Sequence, residues 1–378
     1  MSDMEPAIDL EPAIDLAALP SWPDEHLAGL SPEALVDLLV ASDDRVPRNL
    51  VDACARRGSD MVRVLRERLD FPGSEFESDG EWWLRMHAVM ILGLVPEESA
   101  ALLLVDWMRR LAKETGRPVT FALIQVDSAP ELWRELMDVS AEAVAEGVPL
   151  HPQVAGRPTG LLSGLQTTYS ILDKFPTYTR LRETLPFEEL VAALRSPEIR
   201  TEILGWESSE MDQVLLQGAY EKTFVLGTPP DYEPGPELTL AALGAAQGKD
   251  PLEVAYDAML EDDGRAILYV PILGYSDGNS DANREMLLHP AAIVGLSDGG
   301  AHCGVICDAS MPTYMLTHWT RDRSRGERLP LELVVKRQTH DTAELYGFHD
   351  RGTLTPGMMG DVNVIDYEGL TLRNPVVA

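Results

Sequence analysis

The sequence predicts an α/β protein built on parallel strands, preceded by an all-helical segment. Three observations predict it. From Ser31 to Gly116 short amphipathic helices follow one another with clear caps. From Arg117 onward, apolar β-rich runs alternate with helical stretches of roughly 10 to 15 residues, the rhythm of a parallel sheet with crossover helices. One late run then leads straight into Ser297-Asp298-Gly299-Gly300, which places a carboxylate at the carboxyl end of a strand, where such folds gather their chemistry.

The elements follow in order. Residues 1–28 read as an acidic flexible tail: between Met1 and Asp44 there are eleven acidic residues and no Lys or Arg, and Glu-Pro-Ala-Ile-Asp-Leu occurs twice. Six residues repeated twice cannot bury a face, so the tail is solvated or a docking peptide for a basic partner. Residues 29–110 read as all α. Ser31 caps and Pro32 opens a helix with Leu35, Leu38 and Leu39 on one face. Pro47 opens a second that stops at Gly58, and Ser59 a third with Val62, Leu65 and Leu69 inward. After an acidic loop, Gly73 to Gly80, come helices over Glu81–Leu94 and Glu97–Thr115, the latter closed by Gly116 as a left-handed cap. Such an array resembles HEAT-like repeats, without a fixed period, and equally suits an ordinary helical cap over a neighbouring domain.

Residues 111–378 carry the alternating pattern. A strand is expected within Arg117–Val126, a helix over Pro130–Gly147 and a strand over Val148–Val154. Helices follow at Glu237–Gln247 and Pro251–Glu261, a strand at Ala266–Ile272, a helix near Asp281–Leu288 and a strand at Ala292–Leu296.

Composition narrows the function. The 378 residues suit about two domains, at roughly 150 residues each. Asp and Glu number 62 against 31 Lys and Arg, a formal net charge of -31 that repels phosphate backbones and anionic lipid. Nucleic acid and membrane surfaces are therefore not expected as partners. No apolar stretch reaches the roughly 18 residues of a bilayer span and the first thirty residues lack a basic, then apolar, leader, so a cytoplasmic protein is expected. Cys54, Cys303 and Cys307 are too few and too unevenly placed for a disulfide framework.

Asp298 is the candidate catalytic residue. A carboxylate there takes a proton from an attacking water, or binds the metal that activates it, and returns the proton to a leaving amine. The same carboxylate also suits an Asx turn or an N-cap. Gly295-Leu-Ser297-Asp-Gly299 spells a nucleophile elbow as well, with His340 or His349 as base, although the glycines that follow replace the helix an elbow needs. None of the eight histidines forms a pair at short ligand spacing. His302 stands four residues past the aspartate as a substrate or metal contact. His151 lies near the end of its strand as a metal ligand, and Arg157 nearby suits a bidentate grip on a substrate carboxylate or a salt bridge within the chain.

Several segments carry a family resemblance: Lys113-Glu-Thr-Gly-Arg-Pro-Val-Thr-Phe-Ala-Leu123, Pro152-Gln-Val-Ala-Gly-Arg-Pro-Thr-Gly160, Gly248-Lys-Asp-Pro-Leu252, His289-Pro through Gly300, and Tyr346 through Asp366. From about Leu111 to Asn374 the chain resembles the carboxyl-terminal half of the amidohydrolase superfamily, in the branch of N-acyl-D-amino-acid deacylases. The resemblance implies a partial (β/α) TIM-type barrel with a short C-terminal β-return through Val362, Val364 and Ile365. It implies hydrolysis of a carbon–nitrogen bond other than a peptide bond in a small N-acyl substrate. It also implies a divalent metal, most simply zinc, with Asp298 as the proton shuttle after the last barrel strand. The family's first-strand ligand pair is not matched, since residues 29–110 stand where those strands should be. A zinc site needs about three protein ligands. The sequence therefore points to a degenerate enzyme, to one completed by a partner subunit or homo-oligomer, or to a non-catalytic scaffold.

Overall fold

The computed structural model describes residues 21–69, 79–206, 218–297 and 303–377. It divides into two compact units, Met1–Arg110 and Leu111–Ala378. The repeated hexapeptides, most of the acidic loop from Gly73, and the side chain of Leu69 lie outside the described residues.

In the first unit α1 (Asp24–Ala28), α2 (Pro32–Ser42), α3 (Arg48–Ala55), α4 (Ser59–Leu69) and α5 (Asp79–Leu94) follow one another, and α6 (Glu98–Thr115) starts there and runs past Arg110. Ser31 caps α2 as expected, its hydroxyl accepting the Ala34 N–H at 3.2 Å, and Pro32 takes the first helical position. Leu35 and Leu39 of α2, Leu50 and Cys54 of α3, Met61 and Leu65 of α4, and Leu84, Ala88 and Ile91 of α5 form one apolar core. Gly116, at φ +65, caps α6 through its N–H to the Ala112 carbonyl at 2.9 Å. One expectation is corrected. The flexible tail does not reach residue 28, because Leu27 of α1 is fully buried in this core and Asn49 donates to the Trp22 carbonyl at 2.9 Å. Along α5 the side chains of Trp82, Met86, Met90 and Leu94, each four residues from the next, are exposed.

The second unit is mixed α/β. β1 (Val119–Leu123), α7 (Leu132–Ala145) and β2 (Leu150–Ala155) form a βαβ unit, with Val119 opposite Leu150 and Leu123 opposite Val154. After α13 (Asp281–Leu288), β6 (Ile293–Gly295) joins the other side of β2, giving a parallel sheet in the order β1-β2-β6. The expected strands and their parallel pairing are thus present here.

β3 (Thr159–Ser163), β4 (Phe224–Val225) and β5 (Leu268–Leu273) make a separate antiparallel sheet in the order β3-β5-β4. This differs from an uninterrupted run of parallel barrel strands. Residues 156–158 between β2 and β3 are far too few for a crossover, which needs about a dozen, so β3 must turn away from the parallel sheet. α8 (Pro176–Thr184), α9 (Phe187–Leu194), α10 (Pro197–Leu204), α11 (Leu240–Gln247) and α12 (Pro251–Met259) bury Tyr178, Leu194, Ile203, Leu240 and Met259 in a core shared with Leu268 of β5.

α13 precedes β6, and α14 (Met311–Thr317) runs into a π-helical turn over His318–Asp322. α15 (Leu331–Lys336), a second π turn over Arg337–Asp341, and α16 (Thr342–Leu345) follow. The expected β-return does not form. Residues 351–377 contain no strand, and Val362, Val364 and Ile365 are 59%, 97% and 48% exposed, since no strand among the described residues pairs with them. Among the described residues no helix is long and apolar enough to cross a membrane.

Candidate functional site at the carboxyl edge of the parallel sheet

Three buried polar side chains finish β2 where its ladder stops. The Asn283 amide donates to the Ala155 carbonyl at 3.0 Å, and the Trp319 indole donates to the Gly156 carbonyl at 2.6 Å. Arg157 then turns inward. Its guanidinium, 1% exposed, donates to the Asp308 carboxylate at 3.2 Å, to the Ser310 hydroxyl at 3.1 Å and to the Cys307 carbonyl, and lies 3.7 Å above the Tyr232 ring. The expectation that Arg157 grips a substrate carboxylate is therefore corrected: the carboxylate it holds is the chain's own, since burying a guanidinium demands a paired anion.

The loop that Arg157 grips returns to β6. The Ser297 hydroxyl donates to the Asp308 carbonyl at 3.3 Å. Between β6 and Ser297, Leu296 has φ +63, a left-handed conformation rare for a bulky residue, so the backbone turns abruptly at the strand end. Farther along, the Val305 carbonyl accepts from the Leu162 N–H of β3 at 2.7 Å and the Gly304 carbonyl from the Thr168 N–H at 3.0 Å.

A cavity of about 200 Å³ opens at this edge, lined by Gly156, Val294, Gly295, Ser297, Met311, Pro312, Met315, Gln338 and Thr342. Its two glycines are there for space. A Cβ on Gly156 would stand 2.8 Å from Cγ of Met315, and one on Gly295 2.9 Å from Oε1 of Gln153. A larger cavity, about 840 Å³, lies beside the antiparallel sheet, shares none of these residues and has no parallel strand end on its wall. Strand-end geometry favours the smaller one.

Of the residues singled out in the sequence, Asp298 and His302 lie outside the described residues. Ser297 lines the cavity, and Arg157 braces its loop. His151 is not brought to them. It stands four residues before Ala155, roughly 13 Å back along β2, and its Nδ1 lies 3.1 Å from the Ala291 carbonyl. Among the described residues no group of three or more His, Cys, Asp or Glu side chains is arranged to hold a metal ion, so the donors described do not fit a metal centre.

Sequence reasoning missed a second polar cluster. Glu233, 2% exposed, accepts from Nε and Nη2 of Arg323 at 3.0 and 2.9 Å and from the Ser280 N–H at 2.9 Å, and it lies 2.7 Å from Nε2 of His318. Burial pushes the Glu233 carboxyl up, but the hydrogen bonds from His318, Arg323 and the Ser280 N–H outweigh it and hold it at about 2. Glu233 and His318 are 85 residues apart and share no motif, so no local spacing announces them.

No curated protein and no solved structure matches the chain at a significant level. The model of the amidohydrolase family matches residues 97–378, well over half of the sequence, including the whole parallel sheet and the cavity at its carboxyl edge. Members of that family typically use divalent metals. With a parallel α/β sheet, a strand-end cavity and this match in agreement, the chain belongs to the amidohydrolase family, and its second unit is a hydrolase domain of that superfamily.

Proposed function

We propose that this chain hydrolyses a carbon–nitrogen bond other than a peptide bond, in a small N-acyl substrate of the N-acyl-amino-acid type, at the carboxyl edge of β2 and β6. One observation carries the reading: a glycine-lined cavity opens there, with Ser297, the residue next to Asp298, on its wall. In this reading Asp298 takes the proton of the attacking water and delivers it to the leaving amine. The bent backbone at Leu296 and the Arg157–Asp308 pair support it by fixing the strand end three residues before Asp298 in the sequence. The described residues at this edge hold no group of three His, Cys, Asp or Glu side chains able to bind an ion, so in this reading a divalent ion would take further ligands from a partner subunit.

The test is release of free amine from N-acetyl amino acids by the full-length chain and its Asp298→Asn variant. A drop of about 10²- to 10⁴-fold with an unchanged melting temperature supports the reading; equal rates sink it. A second reading, a non-catalytic binding protein, is favoured by the exposed row Trp82, Met86, Met90 and Leu94 on α5. It gains if neither protein releases amine.

A further inference from the structure

A second hollow, about 320 Å³, lies in the same unit and shares no residue with the strand-end cavity. Its walls include Pro229, Pro230, Asp231, Tyr232, Tyr314 and His318. His318 opens the π-helical turn after α14. Such turns are rare, and they recur where a side chain is displayed for a purpose.

The His318 ring is fixed on several sides. It stacks on Tyr314 with centroids 4.4 Å apart and planes 12° from parallel, and meets Trp319 edge-on at 5.5 Å. Nε2 faces the Glu233 carboxylate at 2.7 Å. That carboxylate is already clamped by Arg323 and the Ser280 N–H, so it stays ionised and accepts. With an ionised acceptor opposite, Nε2 carries a proton, and Nδ1 is the ring nitrogen with no hydrogen-bond partner among the described residues, an acceptor in the single-proton tautomer.

Asp231 stands on the same wall. One of its oxygens accepts the Glu233 N–H at 2.9 Å, and it pairs with no cation among the described residues. The wall's own cations are committed elsewhere. Arg325 donates to the carbonyls of Glu233, Pro234 and Gly278 and to the Tyr275 hydroxyl, between 2.9 and 3.1 Å. Arg321 holds both oxygens of Asp322 at 2.6 and 2.8 Å and the carbonyls of Tyr367, Glu368 and Leu370. The hollow thus offers two acceptors open to a donor from solvent, Asp231 exposed and His318 partly buried, beside two prolines and a tyrosine, and no uncommitted guanidinium.

We propose that this hollow is a binding site for a small organic cation, an alkylammonium whose N–H groups donate to Nδ1 of His318 and to the carboxylate of Asp231. Its alkyl body lies against Pro229, Pro230 and Tyr232. An anion would meet unshielded acceptors, and a bare metal ion would find no group of three His, Cys, Asp or Glu side chains arranged to hold it among the described residues. The formal net charge of -31 concentrates cations around the whole chain, which raises occupancy at modest affinity. The proposal concerns binding alone and stands apart from any turnover at Asp298.

The experiment uses the full chain with isotope-labelled histidine, titrated with n-butylammonium chloride, with sodium n-butyrate and sodium chloride at matched ionic strength as controls. His318→Gln identifies the His318 signal as the one of eight that disappears. A saturable shift of that signal with butylammonium alone, weakened about tenfold or more in Asp231→Asn, supports the site. An unmoved signal, an equal response to butyrate, or equal affinity in an Asp231→Asn protein with an unchanged circular-dichroism spectrum overturns it. Because the contrast between butylammonium and butyrate is read on the unaltered chain, it decides the matter even if a variant fails to fold.

Discussion

The guanidinium of Arg157 and the carboxylate of Asp308 meet at 3.2 Å with 1% and 8% of their side chains exposed. This pair ties the carboxyl end of β2 to a loop some 150 residues later, and through the Asp308 carbonyl that loop holds Ser297. Removing one member leaves the other's charge in a poorly solvated place. Arg157→Met is expected to cost about 3–5 kcal/mol in urea unfolding, and Arg157→Met with Asp308→Leu to recover much of it. A single-variant loss below about 1 kcal/mol would show that solvent reaches the pair.

Glu233 sets an acid limit on stability. Its carboxyl is held at about 2 in the fold, against an ordinary 4.5. The unfolded chain therefore binds this proton first as pH falls. The contribution is fully present above about pH 5 and is lost on the way down to about pH 2, amounting to on the order of 3 kcal/mol. Urea midpoints measured from neutral pH downward should fall in that window for the natural chain, and fall less steeply for Glu233→Gln. Parallel curves for the two proteins would remove Glu233 from the account.

Val364 tests the absence of a β-return. Exposed at 97%, it loses almost nothing to water on replacement. Val364→Lys should alter stability by no more than about 0.5 kcal/mol. A loss above about 2 kcal/mol by the same urea measurement would mean that the side chain is covered in solution.

The sequence made the local structure legible and left the long-range pairings hidden. Ser31 with Pro32, and Gly116 after a periodic run, mark helix ends through chemistry that acts within four residues, and the structure has both caps. The apolar runs at 119–123 and 150–155, separated by an amphipathic helix, likewise foretold a parallel pair. β5 was visible as a strand, but its direction depends on β3, more than 100 residues earlier, and periodicity carries no sign for that. Val362, Val364 and Ile365 had the composition of a strand without a backbone to bond, since β propensity measures fit to neighbours. For Arg157 the sequence offered a substrate anion or, more readily, an internal salt bridge, and only the fold put Asp308 beside it.

The parallel sheet closes late. Ile293 of β6 pairs with Gln153 of β2, about 140 residues after it. At about 5–20 residues per second, a ribosome needs on the order of ten seconds to supply that last strand. During the wait one flank of β2 is an open ribbon of amide donors and acceptors, while the helices around Tyr178 and Met259 already have most of their own partners in hand. The nascent chain is then most exposed to mispairing with foreign strands, and this is the window in which a chaperone would matter most to its yield.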